Sequence, residues 1–333
     1  MFFILFAVFS CPLSVSAGIV AEEAFVDARW ELLFEDTVEA KRGIVQSICV
    51  VSDGILCLEN TKDGSGEPDV VKKYSLEDYS LVKRVQEHDY DHANGMAYHP
   101  GKGEVAVAPY RVEDSADSGC VYLMDPDTLA YVGKVNVLDE GEVLGIGYYG
   151  ANDGYIIQTD AVDGYSFLVL DRDFQVVEDL GEQAGTCKGR NFQDLCVSGD
   201  YIVNFPLTLK TGLGSLVNVY SAKDGHLVNC VPADFGLGSC KSVEPESVCE
   251  LAPGRFLAAV KCVEGGTRKV KVFSCMVPFD FPALGREELI EGGYLTEGGD
   301  GRSGIFGVLA PVAILAVSVA GVRVSLWHKK RLA

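Results

Sequence analysis

Two segments of this chain are near copies: TCKGRNFQDLC at 186–196 and SCKSVEPESVC at 239–249. With Gln193 aligned on Glu246, the same pattern continues backwards through LGIG (144–147), NGMA (94–97) and QSIC (46–49). The intervals between these anchors are 48, 50, 49 and 53 residues. No other feature constrains the fold as much. A fixed period of this length marks an array of supersecondary units, each unable to bury its apolar face alone and each stacked on the next.

Within each unit the order of segments is the same. After the anchor come ILCLEN, EVAVAPY, GYIIQTD, YIVNFPL and RFLAAVK, short β-branched and aromatic runs bounded by Gly, Pro and Asp. Four units then carry a hairpin: VVKKYSLEDYSLVKRV, CVYLMDPDTLAYVGKV, SFLVLDRDFQVVEDL and LVNVYSAKDGHLVNCV, with Asp78, Asp127, Asp173 and Asp224 in register at the turns. Four strands per unit with no helical periodicity predict an all-β, five-bladed propeller over 29–279, with six blades as the alternative. The fifth unit lacks a fourth strand, and RWELLFEDTV (29–38) is a strand with no unit of its own. Its pairing with the last unit would close the ring and cover both sheet edges.

The columns of this alignment separate packing from chemistry. Two past the anchor stand Ile48, Met96, Ile146, Leu195 and Val248, and three past it Cys49, Ala97, Gly147, Cys196 and Cys249. Apolar and then small side chains suit strands crowded round an axis, and Cys serves there as a small hydrophobe. The anchors Gln46, Asn94, Gln193 and Glu246 are polar, at the point where inner strands enter the ring, and His92, Arg190, Asn191 and Glu244 come from the same loops. These eight are the candidate ligand-binding residues at the channel mouth, and Glu244, Glu246 and His92 are the candidates for acid–base work. No nucleophile elbow, P-loop, zinc-protease helix or dinucleotide fingerprint is present. No metal site or cofactor is expected beyond a channel-bound cation such as calcium.

In the second unit the anchor lies within DHANGMAYHP. His92, Ala93, Asn94, Gly95, Met96, Tyr98 and Pro100 fit the pattern H-A-N-[DG]-M-x-Y-x-P, and the segment resembles the inner strand of secreted bacterial β-propeller proteins. That resemblance implies a propeller fold, an extracellular place and His and Asn side chains facing the axis. It implies no settled activity.

The chain ends bear on location. MFFILFAVFSCPLSVSA (1–17) reads as a signal peptide with small residues before its cleavage point. The propeller is then expected over 18–280, a Gly- and Glu-rich stalk over 281–303, a membrane-crossing helix over 304–327 and a basic cytoplasmic tail over 328–333. LTEGGDGRSG, the apolar span and the final HKKRLA together resemble the sorting signal of Gram-positive surface proteins. Leu295, Gly299 and Asp300 match that pattern, whereas Thr296 replaces its Pro and Gly298 its Thr.

A formal net charge of −20 repels phosphate backbones, excludes nucleic acid as a partner and favours a monomeric ectodomain. In an oxidising exterior, Cys49 with Cys57 across a three-residue turn, and Cys187 with Cys240 on matching loops, are the candidate disulfides. The expected function is that of a membrane-anchored, cell-surface binding or interaction module for an extracellular protein or glycan. The alternative is a hydrolase or lyase working at the channel mouth on a glycan or cell-wall substrate.

Overall fold

The computed structural model describes residues 25, 28–61, 66–110, 117–160, 164–184, 193–206 and 215–277, with the short strands 315–316 and 325–326. Five four-stranded antiparallel sheets form the domain. Blade one is β2 (Ile44–Val51), β3 (Gly54–Asn60), β4 (Val70–Ser75) and β5 (Leu81–Val85). Blade two is β6 (Gly95–His99), β7 (Glu104–Ala108), β8 (Cys120–Met124) and β9 (Tyr131–Asn136). Blade three is β10 (Val143–Tyr149), β11 (Gly154–Asp160), β12 (Gly164–Leu170) and β13 (Val176–Ala184). Blade four is β14 (Leu195–Ser198), β15 (Tyr201–Asn204), β16 (Leu216–Ser221) and β17 (Leu227–Pro232). Blade five is β18 (Lys241–Ala252), β19 (Arg255–Glu264), β20 (Thr267–Met276) and, from the other end of the chain, β1 (Glu31–Thr37).

The innermost strands β2, β6, β10, β14 and β18 each touch the next, and β18 touches β2, so the ring is closed with five blades. Its closure is the expected one: β1 lies antiparallel to β20, with Glu31 opposite Ser274 and Thr37 opposite Lys269. Five apolar clusters fill the five blade-to-blade interfaces, and the unbroken runs of buried residues in strands such as β3 and β16 follow from that sandwiching. The seam between blades five and one carries a polar lock as well. The fully buried Lys72 of β4 holds Asp36 of β1 at 2.9 Å, Glu59 of β3 at 2.9 Å and the Thr37 carbonyl at 2.8 Å. Tyr74 adds a 2.7 Å bond to Asp36.

One expected disulfide is corrected. The β2–β3 hairpin turns on two residues, Ser52 and Asp53, so Cys57 pairs with Ile48 and Cys49 with Leu56. A one-residue change of register flips the face on which a side chain lies. Cys49 accordingly packs towards blade two and Cys57 towards blade five, and both are free thiols. Cys240 is free too, and its expected partner Cys187 lies outside the described residues. So do the signal peptide (1–17) and the stalk (281–303). Of the expected membrane-crossing segment, the described part is β21 (Leu315–Ala316), paired antiparallel with β22 (Ser325–Leu326). No described helix is long and apolar enough to cross a membrane.

Candidate functional site

The anchors sit at one end of the channel, taken here as the upper end. Gln193 lies two residues before β14 and Glu246 on the adjacent inner strand β18, and Gln193 Nε2 donates to Glu246 Oε2 at 2.7 Å and to Glu244 Oε1 at 3.3 Å. Lys261, the cross-strand neighbour of Glu244 on β19, places its ammonium on both carboxylates, 2.7 Å from Glu246 Oε1. Residues two apart on a strand share a face, yet Pro245 sits between these two and β18 bulges on both sides of the pair, between Lys241 and Glu244 and between Pro245 and Ser247. The bulges bend the strand without separating the carboxylates.

The carboxylates are out of water, Glu246 1% exposed and Glu244 4%, whereas Lys261 is partly exposed. Burial pushes the Glu246 carboxyl up to about 8; the Lys261 charge opposes that shift, and a hydrogen bond with Glu244 adds to it. Lys261 is held above the usual ammonium range by the two carboxylates, against its own burial. The cluster therefore works as two carboxyls, one ammonium and one exchangeable proton.

Gln46 stands at the same level on β2, since the Ile48 amide bonds Ser247 Oγ across the β2–β18 contact at 3.0 Å. Its Oε1 is buried with no donor among the described residues. Asn94 donates through Nδ2 to the Leu144 carbonyl, stitching blade two to blade three. His92, half-buried, accepts from Asn60 at 3.5 Å and meets the Tyr110 ring edge-on at 5.4 Å. Gln193, Glu244 and Glu246 are thus brought together, while His92 meets Asn60 and Tyr110 and Asn94 meets Leu144, in blades one to three. Arg190 and Asn191 lie outside the described residues.

Two residues that matter here were absent from the sequence reading. Lys261 could have been found by counting back from the Pro253–Gly254 turn, which in a regular hairpin places it opposite Glu246. Asp194 had a signal in the column one past the anchor: Ser47, Gly95, Gly145, Asp194 and Ser247, four small residues and a carboxylate. The Asp194 side chain lies on the axis. It accepts from its neighbour's Leu195 N–H at 2.8 Å, from Ser247 Oγ at 2.6 Å and from the Met96 and Ile146 amides. Ser247 in turn receives the Ile48 amide, so one carboxylate connects all five blades. Burial pushes its carboxyl well above the usual range, and the four donated hydrogen bonds oppose that by favouring the ionised form. Gly95 is required for this: a Cβ there would lie 2.2 Å from Asp194 Oδ1.

Below this plug the channel opens into a cavity of about 230 Å³ lined by Cys49, Met96, Tyr98, Cys196, Cys249 and Glu250, among others. The three cysteines are buried, as their column predicts. The cavity and the paired carboxylates thus lie on opposite sides of Asp194. Among the described residues no group of His, Cys, Asp or Glu is arranged to hold a metal ion.

Fold and site together define a five-bladed propeller with a buried acidic cluster above an axial carboxylate. No family model matches the chain, and no curated protein does. Among solved structures it is similar to the tail fibre of Staphylococcus aureus phage P68, at 16% identity and a TM-score of 0.47, over 81% of this chain and 58% of that one. It is also similar to TolB from Acinetobacter baumannii, at 12% identity and a TM-score of 0.40, over 71% of this chain and 56% of that one. A Bacteroides caccae protein of unknown function gives 13% identity and a TM-score of 0.35, over 64% of this chain and 70% of that one.

Proposed function

We propose that this propeller is a cell-surface binding module, carried outside by its leader and membrane anchor, that takes an amine-bearing extracellular protein or glycan at the upper channel mouth. The observation that supports the reading is an excess of buried acceptors. Glu244 and Glu246 share Lys261 and Gln193 as donors, and the buried Gln46 Oε1 has none among the described residues. Native interiors seldom leave a buried carbonyl unpaired, and an unpaired one points to a water, an ion or a ligand group. A ligand ammonium would supply donors to Gln46 and displace the proton that Glu246 carries near neutral pH.

Calorimetric titration with a lysine-rich peptide and with a glucosamine oligomer tests this. Binding of one of them, at least about tenfold weaker in Glu246→Gln, is the expected result, and the lysine-rich peptide, whose ammonium groups stay charged throughout, should bind more tightly at pH 8.5 than at pH 6.5. Equal binding by wild type and variant, or none by either, would remove the mouth as a site. The hydrolase or lyase reading requires more, since Glu244 and Glu246 must first be released from Lys261; its mark is turnover of a glycan fragment by wild type and none by Glu246→Gln. For the anchor, a reporter fused after Ala333 should be cytoplasmic, and detergent should be needed to extract the protein.

A further inference from the structure

Beside the acidic cluster two thiols meet. Cys240 ends the loop from blade four, immediately before β18, and is partly exposed, whereas Cys262 follows Lys261 on β19 and is buried. The strands pair with Lys241 opposite Val263, which puts Cys240, Cys262 and Glu264 on one face. Cys240 Sγ lies 3.9 Å from Glu264 Oε1, on the face that Cys262 shares. Both are free thiols, and Cys240 sits in a turn closed by its own amide on the Leu237 carbonyl at 2.9 Å.

We propose that Cys240 and Cys262 are a dithiol–disulfide pair, oxidised by exchange with a small-molecule disulfide. The exposed Cys240 thiolate attacks one sulfur of that disulfide and expels one thiol, leaving a mixed disulfide on Cys240. The Cys262 thiolate then attacks the Cys240 sulfur and expels the second thiol. The two cysteines lose two protons and two electrons, and the electrons leave in the two thiols formed. Burial pushes the Cys262 thiol up to about 11, which makes Cys240 the entry point and Cys262 the resolving partner. The bond would fasten the loop at 233–240 to the strand that carries Lys261.

The experiment is incubation of the folded chain with oxidised glutathione at pH 8, alkylation of remaining thiols and peptide mapping without reductant. The expected result is a cross-linked peptide joining Cys240 to Cys262, reversed by dithiothreitol. In Cys262→Ser the reaction should stop at a glutathione adduct on Cys240, and in Cys240→Ser the Cys262 thiol should stay unmodified. The proposal fails if wild type keeps both thiols alkylatable, accumulates the Cys240 adduct, or links Cys240 to Cys187 instead.

Discussion

At the scale of single residues the axis is held by one side chain. Replacing Asp194 with Ala leaves the Leu195, Ile146 and Met96 amides and the Ser247 hydroxyl without their acceptor, and each orphaned buried donor costs about 1–3 kcal/mol before relaxation. The expected loss of stability is about 3–5 kcal/mol, read as a lower denaturant midpoint. Glu246 predicts a pH dependence. Its folded carboxyl titrates near 8 and an unfolded one near 4.3, so between those values the folded chain holds a proton that the unfolded chain has lost. Its contribution is complete below the lower value and is gone above the upper one. Relative to Glu246→Gln, wild type should therefore lose up to about 1.4 kcal/mol per pH unit between about pH 5 and 8, with parallel curves above. Denaturation curves at a series of pH values for the two proteins check the slope.

At the scale of strands and turns, legibility followed the local rules. The blade hairpins were readable because their turns are capped by the residue that opens them. Asp125 Oδ1 receives the Asp127 and Thr128 amides at 3.0 and 2.7 Å, Asp171 the Asp173 amide at 2.9 Å, and Ser75 that of Glu77 at 3.0 Å. The blade-five vacancy was readable because a strand was missing from a count. The two-residue turn at Ser52–Asp53 and the bulges of β18 were not, since bulges are set by packing against neighbouring blades rather than by the pattern along one strand. That shift of register is why the Cys49–Cys57 pairing failed. The bulges of β18, in turn, moved Lys261 from opposite Glu246 to opposite Glu244. The β1 seam gives a test at this scale. Lys72→Ala strands Asp36 and Glu59 in the seam and should cost about 3–5 kcal/mol. Deleting 31–37 should bare the edge of β20 and convert a monomer into aggregates, visible by light scattering. A deletion variant that stayed monomeric with an unchanged Tm would show the seam to be dispensable.

At the scale of the whole ring, five interblade cores and two chain ends joined in one blade make a single cooperative unit. The segment 25–277 should fold alone, with an all-β circular dichroism spectrum and one thermal transition. Two separate transitions would contradict the closed ring. The axial carboxylate limits how such a ring can be copied. Five duplicates of blade two would put five Gly95 equivalents round an empty axis with no acceptor for the amides pointing into it. Five duplicates of blade four would crowd five Asp194 equivalents into the space of one. A symmetric propeller cannot be bred from either of these two units: the repeats share a pattern, but they hold separate offices, and only one of the five carries the keystone.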